Sequence, residues 1–75
     1  MKVMVELIAM GRDGEVAIEV NDEATADSLL DVLGLRNVET YMSMINDQQV
    51  APGDRAARRL VEGDRIKFFP PLEGG

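Results

Sequence analysis

The sequence predicts an α+β roll, one mixed sheet with one main helix packed on one face. Three observations carry that expectation: two successive stretches of alternating hydrophobicity near the N-terminus, a switch to helical spacing directly after them, and a return to alternation toward the C-terminus. A length of 75 residues allows one domain, near the lower limit at which a hydrophobic core folds without disulfides or metal.

In KVMVELIAM, Val3, Val5 and Leu7 alternate with Lys2, Met4 and Glu6, the period of a half-buried strand, and Ile8 extends the outward row. The stretch GRDGE supplies turn residues, and EVAIEV alternates again with Val16, Ile18 and Val20 on one face, so the two strands read as a hairpin. Ala26, Leu29, Leu30 and Leu33 then fall on one stripe of a helix, with Asp22 or Thr25 as candidate cap and Gly34 as stop. Asp27 and Asp31 lie off that stripe, toward water, and the leucines should pack on the inward face of the hairpin. TYMSMIND reads as a third strand, whose tip NDQQ turns into a short QQV segment that Pro52-Gly53 ends. GDRAARRL is a loop or a single helical turn anchored by Leu60. EGDR is a turn carrying Gly63 into the final strand RIKFF, where Ile66 and Phe68 face one way and Lys67 and Phe69 the other. Because the helix supplies a crossover, the last strand can lie parallel beside the first.

Composition narrows the function. With no cysteine and no histidine the chain lacks the thiol nucleophile, the most common general base and the usual zinc ligands, so it is expected to be neither an enzyme in itself nor a metal protein. A net charge of −6 argues against a nucleic-acid partner and for a protein partner with a basic surface. The one basic cluster, Arg55, Arg58 and Arg59, sits among acidic residues and reads as a solvated loop in preference to an anion site. Glu6 interrupts the N-terminal apolar stretch, which has no cleavage-site pattern, and no segment is long enough to span a membrane. The expected location is the cytoplasm.

Most of the functional information lies in KFFPPLEGG. Pro70 and Pro71 lack backbone donors and favour an extended conformation, so strand pairing should fail there and the tail should project from the sheet. Leu72 and Glu73 offer a partner one apolar and one charged handle, and Gly74 and Gly75 have no Cβ, so they can pass through a channel too narrow for other residues. Terminal glycines are ordinarily slack. Behind a rigid spacer they read as a functional tail, with residues 1–71 as the domain and residues 72–75 as a flexible diglycine extension.

The run LVEGDRIKFFPPLEGG resembles the carboxyl end of the molybdopterin synthase small subunit family: a Gly-Asp turn, an apolar strand, Phe-Pro-Pro and Gly-Gly. The rest of the chain is similar in pattern to the wider group of ubiquitin-like sulfur carriers, which includes the thiamine-biosynthesis carrier, and the resemblance implies the β-grasp fold. The chain departs from the molybdopterin carriers in its shorter length, its abbreviated segment between helix and third strand, and Glu73, which bear on the pathway more than on the carrier role. The resemblance implies that the Gly75 carboxylate is adenylated by an activating enzyme, which supplies ATP and Mg²⁺, and is then converted by a sulfur donor protein to a thiocarboxylate. Such a carrier binds no cofactor of its own. Its further partner would be the large subunit of molybdopterin synthase, docked on outward apolar residues for which Phe69, Met42, Met44 and Ile8 are candidates. The methionines fit the core equally well as gap-fillers. Sulfur delivery to thiazole or an amino-acid precursor, conjugation of Gly75 to lysines as a protein modifier, and a plain interaction module stay open beside it.

Overall fold

The computed structural model describes residues 1–8, 14–35 and 38–70. Strands β1 (Lys2–Leu7), β2 (Val16–Glu19), β3 (Met42–Ile45), β4 (Gln48–Val50) and β5 (Arg65–Phe69) form one sheet in the order β2-β1-β5-β3-β4, with helix α1 (Ala26–Val32) between β2 and β3. The outer hairpins β1–β2 and β3–β4 are antiparallel, and β5 joins them, parallel to β1 and antiparallel to β3. This is the mixed sheet that the sequence predicts, with the last strand beside the first.

Alternation decides which side chains go inward. Val3, Val5, Ile45, Ile66 and Phe68 are all at most 2% exposed and meet Ala26, Leu29 and Leu30 of α1, which are fully buried. Burying each of the larger ones contributes about 1.5–3 kcal/mol. Ile18 and Val20 pack against this core, as does Leu7, but Val16, which shares their face, is 56% exposed. It lies on edge strand β2, where one flank has no neighbouring strand, so its side of the sheet is as expected and its depth is not.

Seven residues are too few for a helix to persist alone, so α1 depends on its ends and on packing. Of the two candidate caps, Thr25 is the one used. Its Oγ1 accepts the Ser28 N–H at 3.1 Å while Ser28 Oγ accepts the Thr25 N–H at 2.9 Å, a reciprocal capping box built with serine. The remaining first-turn donors are met from elsewhere in the chain: Ala26 N–H by the Arg58 carbonyl at 3.0 Å and Asp27 N–H by the Arg55 carbonyl at 3.3 Å. At the other end Gly34, with φ +74°, turns the chain so that Gly34 N–H reaches Asp31 O and Leu35 N–H reaches Leu30 O, a Schellman closure.

The basic cluster is the main correction to the sequence reading. Arg55 is 1% exposed, not solvated; its Nη1 donates to Tyr41 O at 2.9 Å and its Nε to Asp27 Oδ1 at 3.4 Å. Arg58 turns instead toward Asp64, its Nη1 lying 3.7 Å from Oδ2, and Arg59 stays exposed. Pro52–Asp54 forms a single 3₁₀ turn, the helical option for this stretch, and Leu60, 3% exposed, anchors its end. No helix among the described residues is long and apolar enough to cross a membrane.

Candidate functional site

Because α1 covers one face, the row of alternate residues that points the other way forms an open sheet face. Register places Met42 opposite Phe69, Lys67 between Glu6 and Met44, and Arg65 beside Met4. Met42 is 38% exposed, and Met4, Met44, Lys67 and Phe69 are half-buried. Met42 and Met44 are therefore not core fillers. The inward positions of β3 are Ser43 and Ile45, and Ser43, fully buried, satisfies its hydroxyl by donating to Val50 O at 2.9 Å.

The face has two halves. Toward the end of β5, Phe69 and Met42 form its apolar part. Half-buried Ile8 adjoins this end, its backbone N–H donating to Phe68 O at 2.9 Å, so the β1–β5 ladder continues one residue past β1. At the start of β5 the surface is charged. Glu15 and Arg65 form a two-point ion pair, Nη2 to Oε1 at 2.6 Å and Nε to Oε2 at 2.9 Å. Hydrogen bonding from Arg65, with the attraction of Arg65 and Lys67, holds the Glu15 carboxyl below its ordinary range against the opposing effect of burial. Glu6, Gly14, Asn46, Asp47 and Lys67 join this pair around a depression of about 420 Å³.

The strand that leads to the tail is held firmly at its base. Asp64, 3% exposed, accepts the Val61 N–H at 2.9 Å and the Asn46 side-chain amide at 2.8 Å, and Asn46 Oδ1 in turn accepts the Arg65 N–H at 3.0 Å. The β3–β4 turn is thereby tied to the start of β5. Nothing in the sequence marks Asp64 or Asn46 for this role: the Gly-Asp pair of EGDR, its one signal, reads equally as an ordinary turn. Pro70 is half-buried and follows β5 directly, outside the ladder, as its missing N–H requires. Pro71, Leu72, Glu73, Gly74 and Gly75 lie outside the described residues, as does the proposed flexible character of residues 72–75.

Comparison with known proteins adds the decisive observation: residues 3–75 match the model of the ThiS family. The chain belongs to the ThiS family. This is a family of ubiquitin-like sulfur carriers, and the mixed sheet with one helix is their β-grasp fold. No curated protein matches the chain. Among solved structures, this ThiS-family chain is similar to the HVO 2177 protein of Haloferax volcanii, with a TM-score of 0.82 and 24% identity over 100% of this chain and 87% of that one. It is also similar to the thiamine biosynthesis protein ThiS of Geobacter metallireducens, with a TM-score of 0.68 and 15% identity over 96% and 99% of the two chains. A third similar structure is the complex of subunits 1 and 2 of the molybdopterin-converting factor of Helicobacter pylori, with a TM-score of 0.65 and 22% identity over 100% of both chains. At these identities the likenesses establish the fold.

Proposed function

We propose that this chain carries sulfur as a thiocarboxylate on Gly75 and is itself non-catalytic, the chemistry being done by the enzymes it docks with. The observation that carries this reading is the family match, which runs through residue 75 and so includes the diglycine tail. A carboxylate is a poor acyl donor because its leaving group is oxide. An activating enzyme using ATP and Mg²⁺ joins the Gly75 carboxylate to AMP with release of pyrophosphate; the outer sulfur of a persulfide on a sulfur donor protein then attacks the acyl carbon and AMP departs, and a second thiol attacks the donor's own sulfur in the resulting acyl disulfide, releasing the thiocarboxylate and leaving the two thiols joined as a disulfide. Phe69, Met42, Met44 and Ile8 serve as the docking surface, with Pro70 and Pro71 as spacer and Leu72, Glu73 and Gly74 threaded toward the partner's reaction centre. The location proposed is the cytoplasm.

For the recipient, the Phe69-Pro70-Pro71 spacer favours a molybdopterin or tungstopterin precursor, with a large catalytic subunit as partner, and the existence of a two-subunit complex among the similar structures supports this. The thiazole of thiamine is the second reading, favoured by the family match itself. Purification from the native cell and mass analysis of the C-terminal fragment tests the carrier reading. Replacement of one oxygen by sulfur adds about 16 Da, and so does oxidation of a methionine, so the gain must be located at Gly75 by fragmentation. Gly-Gly remnants on lysines of other proteins, with an unmodified free tail, would establish a protein modifier instead. Complementation of cells lacking either the molybdopterin or the thiamine carrier separates the two recipients.

A further inference from the structure

Lys67 lies at the middle of β5, and β5 is the middle strand of the five. Its side chain is on the open face, half-buried, flanked in register by Glu6 on β1 and Met44 on β3. Although Glu6 is adjacent, Lys67 makes no hydrogen bond or ion pair through its side chain among the described residues. Arg65, two residues earlier on the same face, is engaged at both Nε and Nη2 by Glu15. At the centre of its open face a chain of net charge −6 thus places a cation with no acceptor in direct contact, attracted by Glu15 only at longer range.

A protein that covers Phe69, Met42 and Met44 must also take the surroundings of Lys67 out of water, and desolvation is most complete at the centre of an interface. An ammonium left there without an acceptor is costly. We propose that the docked partner presents a carboxylate to Lys67, set in apolar surface that covers Phe69 and Met42. This rests on the docking face of the functional reading above and adds the chemistry of what meets it. The partner is basic overall, drawn by the net charge of the chain, but acidic at one central point. A basic protein without that carboxylate is attracted at long range and then rejected, because docking strands Lys67.

The test uses the full chain with the adenylating enzyme encoded in the same genome, and measures dissociation rates and thermal unfolding for the parent, Lys67→Arg, Lys67→Met and Phe69→Ala. In Lys67→Met the partner carboxylate is buried unpaired, so dissociation should accelerate roughly thirtyfold or more, while Lys67→Arg stays within about fivefold of the parent. Unfolding should be unchanged in both lysine variants. Carbodiimide treatment of the parent complex should join Lys67 Nζ to an aspartate or glutamate of the enzyme with loss of water. A Lys67→Met complex that dissociates at the parent rate overturns the proposal, since the lysine then reaches out to water at the rim; so does a crosslink that never includes Lys67, or a chain that dimerises alone through this face. If Phe69→Ala loosens the complex and Lys67→Met does not, the carboxylate fails and the docking face stands. If neither does, or no complex forms, both fall.

Discussion

Phe68 and Phe69 are adjacent in sequence and opposite in environment, one fully buried against α1 and the other half-buried on the open face. Phe68→Ala leaves a cavity and should cost about 3–5 kcal/mol of folding stability. Phe69→Ala should leave thermal unfolding nearly unchanged and raise the off-rate of a docked partner by the equivalent of about 1–3 kcal/mol. Denaturant melts and partner binding on the two variants check the assignment, and exchanged phenotypes would mean a register one residue out. Glu15 gives a pH prediction. Folding lowers its carboxyl below the ordinary value of 4.5 through the Arg65 hydrogen bonds, so the unfolded state takes up a proton first as the pH falls. The contribution of Glu15 is therefore complete above the ordinary value and is lost as the pH drops through the lowered folded value. Glu15→Gln should lose less stability than the parent between neutral pH and about pH 3, as read from urea midpoints at both.

At the level of elements, the β3–β4 hairpin turns through Asn46 and Asp47 with φ of 51° and 69°, the left-handed pair of a two-residue turn. Asn46 is committed to Asp64 and Arg65, but the Asp47 side chain makes no hydrogen bond among the described residues, so its positive φ is uncompensated strain. Asp47→Gly removes the Cβ that disfavours this φ and should stabilise by about 0.5 kcal/mol net of glycine's greater freedom in the unfolded chain, visible as a rise of roughly 3 °C in Tm. Arg55 fastens the 51–60 segment across the start of α1, and Arg55→Ala removes its bond to Tyr41 O along with a buried stem, a loss of about 3 kcal/mol measurable by denaturation. These elements differ in how well the sequence foretells them. The period of Val3 and Val5 and of Ile66 and Phe68 states which side is inward, and the stripe of Ala26, Leu29 and Leu30 does the same for α1. Arg55 gives no such sign, because its burial depends on Tyr41 and Asp27, which are distant in sequence. The same holds for the carbonyls of Arg55 and Arg58 that complete the helix start. For the candidate site, alternation was enough to put Met42, Met44, Lys67 and Phe69 on one face. Whether methionines there were core or surface depended on α1 covering only the other side.

Across the whole molecule, net charge and docking chemistry act at different ranges. A chain of charge −6 should meet a basic partner more slowly as salt rises, since attraction is screened beyond roughly 8 Å at physiological ionic strength. The off-rate, governed by contacts on the open face, should barely respond; association and dissociation measured across a salt series check the separation. The place of β5 in the strand order has a consequence for synthesis. Until residues 65–69 emerge, a nascent chain has the β1–β2 hairpin and the β3–β4 hairpin with no strand between them, and the inward side chains of both lack Ile66 and Phe68. Closure of the sheet thus waits on pairing between the first and last strands to be made, the slow, non-local kind of contact. The residues that follow β5 are translated only after the strand that locks the domain. On the proposed carrier function, an activating enzyme that docks on the open face would find that face complete only on chains in which β5 has joined the sheet, so loading of the tail would report on finished folding.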